Sequence, residues 1–365
     1  MEESEETTDY FDSYENLDVH QLMLKDSARI RAYKDAVFLC QEYFRNKVVM
    51  DVGAGTGILS VFCAQAGAST VYAVEASNLA DMIPKVAEEN DFASVIKVLK
   101  QKVEDVKLPN DEKVDVIVSE WMGFYLLHEG MLDSVLHARD IHLKAGGKLF
   151  PEEAKLWCAP CSLPALYDFW DNVEGVRMHT VGQEWRRQKS QEPQILDVPS
   201  SDILADPSKV CSFDLYTCTA RDLDSISKRF VLPANREGQY QGLCVWFSCV
   251  FPSFDDEDPV VLNTASNAES THWKQTVVML PNEQEVEEGT PMAWELKLER
   301  SGGNCRHYNI EFTELDPECV QHPVPCMCYM TKCIVMRACL EQSGAWPDGE
   351  IGDGDNNDTD ADLVS

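Results

Sequence analysis

Basic residues are scarce in this chain: 31 Lys and Arg stand against 63 Asp and Glu in 365 residues, a formal net charge of −32. Nucleic-acid binding relies on basic patches that displace counterions from phosphates, so this balance argues against nucleic acid as a direct partner and suits a cationic ligand. The surplus also serves solubility. Part of it lies in the two ends, so the field over any active face is smaller than the total suggests. Long apolar runs are missing too. The longest, around Leu243 to Phe251, is far shorter than a bilayer span, and no membrane partner is expected. The opening Met1-Glu2-Glu3-Ser4 has no apolar leader, and Glu2 is not the glycine that N-myristoylation requires. The expectation is a soluble intracellular protein, in cytoplasm, nucleus or both.

Paired finger-like Cys-x-x-Cys motifs are also lacking. The 14 cysteines are spread through long apolar elements, so reduced thiols rather than a disulfide scaffold are expected. Two places merit a zinc test: Cys158-x-x-Cys161, and the group Cys319, His322, Cys326 and Cys328. Cys326 and Cys328 have strand spacing, and no second Cys-x-x-Cys lies at finger-like separation, so no metal is expected. No internal repeat is evident.

What is present is organised around Val48-Val49-Met50-Asp51-Val52-Gly53-Ala54-Gly55-Thr56-Gly57, followed by Ile58-Leu59-Ser60-Val61-Phe62. An apolar run ending in a glycine-rich turn and resuming as an apolar segment predicts a buried strand, a tight loop and a helix whose first N–H groups face a ligand. A dinucleotide fingerprint places its third glycine three residues after the second; here that position is Ile58. Asp51 would repel a diphosphate but would hold the ammonium of an amino-acid-like ligand such as S-adenosylmethionine. A glycine turn alone serves equally well to pack a strand closely on a helix.

From Lys47 to Phe150 strands and helices alternate, with strands expected at Val48 to Val52, Thr70 to Glu75, Val95 to Leu99 and Val114 to Ser119, and helices starting near Gly57, Ser77 and Glu129. This rhythm predicts a doubly wound, mostly parallel α/β sheet whose ligands sit at the carboxyl ends of the strands. Acids stand at those ends. Glu75 is placed to accept from ribose hydroxyls, Glu104 to accept an adenine amino group or to be a surface charge, and Glu120 closes the fourth strand. Upstream, residues 1–9 are expected to be disordered and 10–46 to form lid helices, with Leu22, Ala28 or Arg29, Ala32, Ala36, Leu39 and Tyr43 near one stripe. A plain packing helix fits the same spacing.

Beyond Phe150-Pro151 the periodicity shifts to strands at Leu156 to Ala159, Leu215 to Thr219, Leu243 to Phe251, Thr276 to Leu280, Trp294 to Leu298, Tyr308 to Phe312 and Met327 to Met336, a mostly antiparallel β domain over 151–340. An aromatic, helical segment near 163–190 reads as an interaction arm or as local core, and residues 341–365 as a disordered acidic tail.

The segment Ser119-Glu120-Trp121-Met122-Gly123-Phe124-Tyr125-Leu126-Leu127-His128-Glu129 can close into a hairpin that brings two carboxylates to one pocket. Like charges so placed call for a cation between them, and a guanidinium's planar fork matches paired carboxylates. Two unrelated surface acids would look the same in sequence.

Together, Tyr10-Phe11-Asp12-Ser13-Tyr14, Met23-Leu24-Lys25-Asp26, the glycine loop, Ser119-Glu120-Trp121-Met122-Gly123 with Glu129, and Thr271-His272-Trp273-Lys274-Gln275-Thr276 resemble, in order, the protein arginine N-methyltransferases, from about Tyr10 to about residue 335. The resemblance implies a Rossmann-type S-adenosylmethionine domain, a β-barrel domain with a helical dimerisation arm, a homodimer, and methylation of accessible arginines in proteins, Arg/Gly-rich proteins or histones among them. It implies that Phe11, Tyr14, His20, Arg29, Asp51, Gly53, Gly55, Glu75 and Glu104 hold the cofactor, with Arg29 at its carboxylate. Glu120 and Glu129 would grip the arginine, His272 and Asp26 would form a partner pair, and Met23, Met131 and Trp273 would line the substrate pocket. Met23 and Met131 further resemble the members that form asymmetric dimethylarginine. Glu15-Asn16-Leu17-Asp18 and the acidic tail depart from the family pattern. A catalytically silent scaffold of this fold, or a methyltransferase acting on a small cationic molecule, are the competing readings.

Overall fold

The computed structural model describes residues 16–255, 257–302 and 306–345. The expectations for residues 1–15, Phe11 and Tyr14 among them, and for the tail beyond 345 lie outside the described residues.

Five parallel strands build the first sheet: β1 (Val48–Val52), β2 (Thr70–Val74), β3 (Ile96–Leu99), β4 (Val114–Val118) and β5 (Leu143–Phe150), in the order β3-β2-β1-β4-β5. Strands buried on both faces read as continuous apolar runs, as Val-Val-Met-Asp-Val and Val-Asp-Val-Ile-Val do. The strand order reverses between β1 and β4. A crevice therefore opens beyond their carboxyl ends, where the glycine loop and Glu120 both lie.

Two helices precede the sheet, α1 (Leu17–Lys25) and α2 (Ser27–Leu39). The expected single stripe is broken at Asp26, whose extended backbone ends α1 while its Oδ1 caps α2 by accepting from the Arg29 N–H at 3.0 Å. The buried face of α2 is accordingly Arg29, Ala32, Tyr33, Ala36 and Val37, whereas Leu22 and Leu39 are exposed. Helices α3 (Ile58–Gln65), α4 (Ile83–Glu89) and α5 (Leu132–His142) complete the layers.

The chain leaves β5 directly into β6 (Glu153–Cys161), the start of a six-stranded sheet of order β7-β12-β10-β6-β8 with β11 on β10; its other strands are β7 (Gln194–Leu196), β8 (Ser208–Asp214), β10 (Gly238–Val250), β11 (Val261–Asn263) and β12 (Gln275–Val286). A three-stranded sheet joins β9 (Ser225–Pro233), β13 (Pro291–Arg300) and β14 (Tyr308–Glu314) in the order β14-β13-β9. All these pairings are antiparallel. Cys158 and Cys161, three apart on β6, point to opposite faces and enter separate hydrophobic clusters, so they form no ligand pair.

Two expectations are corrected here. Leu215 to Thr219 is a turn rather than a strand, because the N–H groups of Thr217 and Cys218 both bond the Asp214 carbonyl. Met327 to Met336 is not a strand; Thr331–Ser343 forms helix α8, which also carries order past the expected start of the tail and ends at Gly344 in a left-handed cap. The stretch near 163–190 is helical, as expected, in two pieces, α6 (Pro164–Tyr167) and α7 (His179–Lys189), separated by a 3-10 turn at Asp168–Asp171.

The two halves share one core. Phe150, the last residue of β5, lies with its ring 5.0 Å from Phe44 and 6.4 Å from Phe251, and Phe251 meets Tyr33 edge-on at 4.9 Å. Each such fully buried aromatic contributes about 2–3 kcal/mol by area. That seam fixes the crevice of the first sheet against the loops of the second domain. No described helix is long and apolar enough to cross a membrane.

Candidate functional site

Beyond the carboxyl ends of β1 and β4 lies a cavity of about 310 Å³, within the size range of sites for drug-sized ligands. The loop after β1 forms its floor. Gly53, Gly55 and Gly57 all have left-handed backbone, with φ of 73°, 54° and 86°. A Cβ on Gly53 would stand 2.2 Å from Met131 Cε, and one on Gly55 3.5 Å from His20 Cε1, so the glycines keep this wall thin.

Glu75, at the end of β2, is buried and accepts the Gly55 N–H at 2.8 Å through one oxygen and the Ser77 N–H at 2.8 Å through the other. Each oxygen keeps a lone pair for a further donor, which is what a ribose diol requires. Glu104 stands on the rim, accepting the Ser134 hydroxyl at 2.6 Å. His20, Met23, Arg29, Gly53, Gly55, Glu75, Glu104, Glu120, Glu129, Met131, His272 and Trp273 all line this one cavity. Glycine cradle, diol acceptor and rim acid fit S-adenosylmethionine.

Two of the expected residues stand behind the wall. Asp51 is fully buried under the glycine loop, accepts the Ser60 hydroxyl of α3 at 2.6 Å, and has an Oδ1 without a partner. Burial pushes its pKa up to about 7, helped by the Glu75 charge and opposed by the Ser60 hydrogen bond. The direct ammonium contact expected of Asp51 is therefore not what the geometry offers; the carboxyl holds the loop to α3. Asp26 lies behind His272, its side chain 1 % exposed. Its Oδ2 accepts both the His272 backbone N–H at 2.8 Å and the ring Nδ1 at 2.7 Å. Burial alone would raise the Asp26 pKa, but the hydrogen bonds from His272 and from the Arg29 N–H outweigh it and hold the carboxyl below its ordinary value.

Arg29 departs from its expected partner. Rather than standing ready for a cofactor carboxylate alone, it donates from Nη2 and Nε to Glu120 Oε2 at 2.6 and 2.9 Å, and from Nη1 to the Met23 carbonyl at 3.1 Å. The pair is nearly buried, with side-chain exposures of 9 % and 11 %. A buried carboxylate so close to a low-dielectric wall needs this cation.

The segment from Glu120 to Glu129 does close. Gly123 and Leu126 exchange two backbone bonds of 3.1 Å, and a Cβ on Gly123 would lie 1.9 Å from the His128 carbonyl oxygen. Tyr125, Leu126 and Glu129 have φ of 40°, 71° and 80°, strained for residues with side chains. The second domain holds that strain in place. The Trp273 indole N–H donates to the Met122 carbonyl at 2.9 Å, the Tyr125 hydroxyl donates to the Tyr308 carbonyl at 3.0 Å, and Arg306 exchanges backbone and guanidinium bonds with Glu129 at 2.8 and 3.0 Å. Both glutamates thus reach one cavity because loops from two domains clamp the hairpin between them.

Four contributors had no role assigned from sequence: Tyr33, Ser60, Ser119 and Arg306. The Tyr33 hydroxyl donates to the Ser119 carbonyl at 2.8 Å and the Ser119 hydroxyl to the Val52 carbonyl at 2.7 Å, tying α2 to the ends of β4 and β1. Tyr33 was findable, since it follows Arg29 by four residues and shares its helix face. Arg306 had no comparable signal.

Fold and cradle together define a Rossmann-type methyltransferase. Comparison with known proteins agrees: residues 49–147 match the methyltransferase domain family, and residues 152–313 match the arginine methyltransferase oligomerization subdomain. Protein arginine N-methyltransferase 6 of Danio rerio is 39 % identical over 317 residues, covering 85 % of this chain and 90 % of that protein. A probable protein arginine N-methyltransferase 6.1 of Oryza sativa subsp. indica is 39 % identical over 329 residues, covering 83 % and 86 %. Among solved structures, the Trypanosoma brucei PRMT1 enzyme-prozyme heterotetrameric complex with AdoHcy superimposes with a TM-score of 0.74 at 34 % identity, covering 85 % of this chain and 97 % of that one. The chain belongs to the protein arginine N-methyltransferase family.

Proposed function

We propose that this protein transfers methyl groups from S-adenosylmethionine to arginine side chains of proteins, giving monomethyl and then asymmetric dimethylarginine. The observation that carries this reading is the delivery of Glu120 and Glu129 to the same cavity as the glycine cradle. When bound, S-adenosylmethionine supplies an electrophilic sulfonium methyl group; His20, Arg29, Gly53, Gly55, Glu75 and Glu104 would hold it.

The pocket's own charges set the substrate. Glu120 and Glu129 bring two carboxylates to the cavity, Arg29 is paired with Glu120, and a guanidinium substrate is the cation that the pair of acids favours. Two carboxylates on one edge draw the guanidinium's positive charge toward them. The opposite terminal nitrogen then regains lone-pair density and is aimed at the donor. No strong base is needed beforehand, because the proton leaves as the C–N bond forms. Two candidate acceptors line the cavity: Glu129, and His272, whose Nδ1 is held 2.7 Å from Asp26 Oδ2.

Met23 and Met131 narrow the same cavity with unbranched, pliant side chains, which suits a second methylation on the nitrogen already modified. Assembly as a homodimer is part of the proposal. The arm exposes Phe169, Val176, Met178 and Val181, and α1 exposes Leu17, Val19, Leu22 and Leu24, two apolar faces that a second copy would cover. The net negative surface favours Arg/Gly-rich or histone-like substrates.

The test is labelled methyl transfer to an Arg/Gly-rich peptide, with the product isomer read by mass fragmentation. Label in arginine as the asymmetric isomer is expected. Label confined to small cationic metabolites would overturn the substrate class, and the symmetric isomer alone would overturn the product assignment. Light scattering checks the assembly, and a strictly monomeric active enzyme contradicts the dimer.

A further inference from the structure

Far from the cavity, between β14 and α8, the chain gathers His322, Cys326, Cys328 and Cys333, all buried, with one potential ligand atom from each and all four within 4.8 Å of one another. We propose that these side chains form a structural zinc site. The expectation from sequence named Cys319 in this group and concluded against a metal. The fold changes the membership: Cys319 is exposed and turned to Asp316, while Cys333, from the first turn of a helix read as a strand, takes its place.

Three sulfurs converge on one ring nitrogen of His322. Its Nδ1 lies 3.4 Å from Cys326 Sγ, 3.4 Å from Cys328 Sγ and 3.2 Å from Cys333 Sγ. Its Nε2 lies 2.8 Å from the Pro317 carbonyl oxygen. A carbonyl only accepts, so Nε2 donates to it, and Nδ1 is the ring nitrogen turned to the three sulfurs. Nδ1 can hydrogen-bond one thiol at a time, and the sulfurs otherwise meet one another, so three thiols and one ring nitrogen face a common point. A tetrahedral ion with bonds of about 2.0 Å to nitrogen and 2.3 Å to sulfur places its ligand atoms about 3.5 Å from each nitrogen–sulfur neighbour. All three separations are then accounted for at once.

The surroundings match a closed structural site. The Nε2–H bond to the Pro317 carbonyl fixes the ring orientation, as a backbone carbonyl commonly does for a zinc-bound histidine. Three thiolates with a divalent ion leave a net charge of −1, and cations stand against it. Arg337 Nη1 donates to the carbonyls of Cys326 and, at 2.9 Å, of Cys328, and Lys332 Nζ donates to the carbonyls of Pro317, Glu318 and Val320 at 3.1 to 3.3 Å. Four protein ligands leave no open position. The role is therefore to fasten the chain rather than to do chemistry.

Something must fasten it. Cys326, Cys328 and Cys333 form a hydrophobic cluster separate from the main core, joined only by Met330, and Cys333 is the single buried residue of α8. Val324, Met327, Tyr329, Ile334, Val335 and Met336 remain exposed. So little apolar burial does not order a segment of this length, whereas a structural metal does.

Zinc in the full-length protein, purified reduced and without chelators, is measured by mass spectrometry of the metal, and the metal-free protein is then titrated with Co²⁺. About one zinc per chain, with the thiolate charge-transfer and intense visible bands of tetrahedral Co²⁺, is expected. Cys328→Ser with Cys333→Ser should lower zinc to below about a tenth per chain, while Cys319→Ser keeps it. Chelation should speed proteolysis after residue 315 and leave cofactor binding unchanged. Wild-type protein with less than about a tenth of an equivalent of zinc and no tetrahedral Co²⁺ spectrum overturns the site, as does zinc content unaffected by the double substitution. The Co²⁺ spectrum of the wild-type chain decides the matter even if the double variant does not fold.

Discussion

Replacing Glu129 by Gln tests the charge count on which the proposed mechanism rests. The substitution keeps the shape and removes one negative charge from the cavity, so an arginine substrate enters with one carboxylate fewer to meet it. At a contact of about 4 Å and an effective dielectric of about 20, the lost attraction is about 4 kcal/mol, or about 10³ in kcat/KM. Glu129 is only partly buried, and solvent screening lowers the figure to about 2 kcal/mol at least, or about 30-fold. The hairpin should survive, because its closure uses the backbone of Glu129 toward Arg306 and the Gly123 and Leu126 pair rather than the carboxylate alone. The assay is single-peptide methylation kinetics with cofactor affinity measured in parallel by calorimetry. A variant with kcat/KM within about threefold of wild type and unchanged cofactor affinity refutes the electrostatic clamp.

Other substitutions probe the frame around the clamp. Asp26→Asn weakens both the cap of α2 and the bond to His272, and should cost about 1–2 kcal/mol of stability in urea unfolding at neutral pH. Because the folded carboxyl titrates below its ordinary 3.8, that contribution is complete above about pH 4 and is lost as pH falls through the lowered value; a wild-type advantage that instead grows on acidification contradicts the assignment. Tyr33→Phe strips the Ser119 carbonyl of a buried donor and should destabilise by about 1–2 kcal/mol, with a change under about 0.5 kcal/mol counting against the brace. Gly53→Ala forces a left-handed backbone on alanine and pushes Met131 aside, so cofactor affinity should fall at least about tenfold; undiminished binding would show that the loop is not the cradle.

The first sheet was legible because its signals are local. Val48 to Val52 and Val114 to Val118 are apolar runs bounded by glycine or acid, and a strand buried on both faces has no other way to look. The break at Asp26 was less so: helical spacing runs through it, and only the capping geometry shows that its carboxylate competes successfully with α1 for the backbone. Asp51 misled for a related reason. A carboxylate two residues before a glycine loop can face the ligand or the helix beneath, and the alternation of a strand that starts at Val48 does not say which until Ser60 is placed.

What could not be read was the contact between halves of the chain. Glu120 and Glu129 are near each other in sequence, yet their convergence depends on Trp273, Arg306 and Tyr308, which lie more than a hundred residues away and carry no motif that names Met122 or Glu129 as a partner. The same three contacts hold Tyr125, Leu126 and Glu129 in left-handed backbone that would relax in an isolated first domain. The second domain therefore bears directly on the cavity, because it keeps the strained hairpin shut. Trp273→Phe isolates that effect: it preserves the edge contact with Phe247 but removes the indole donor to Met122. One hydrogen bond of about 1 kcal/mol opposing the strain should lower kcat/KM about fivefold. Cofactor affinity should stay fixed, since the glycine loop and Glu75 belong to the first sheet alone. Equal loss of cofactor binding and turnover in that variant would mean that the indole supports the whole cavity, and the hairpin would no longer be the element it holds.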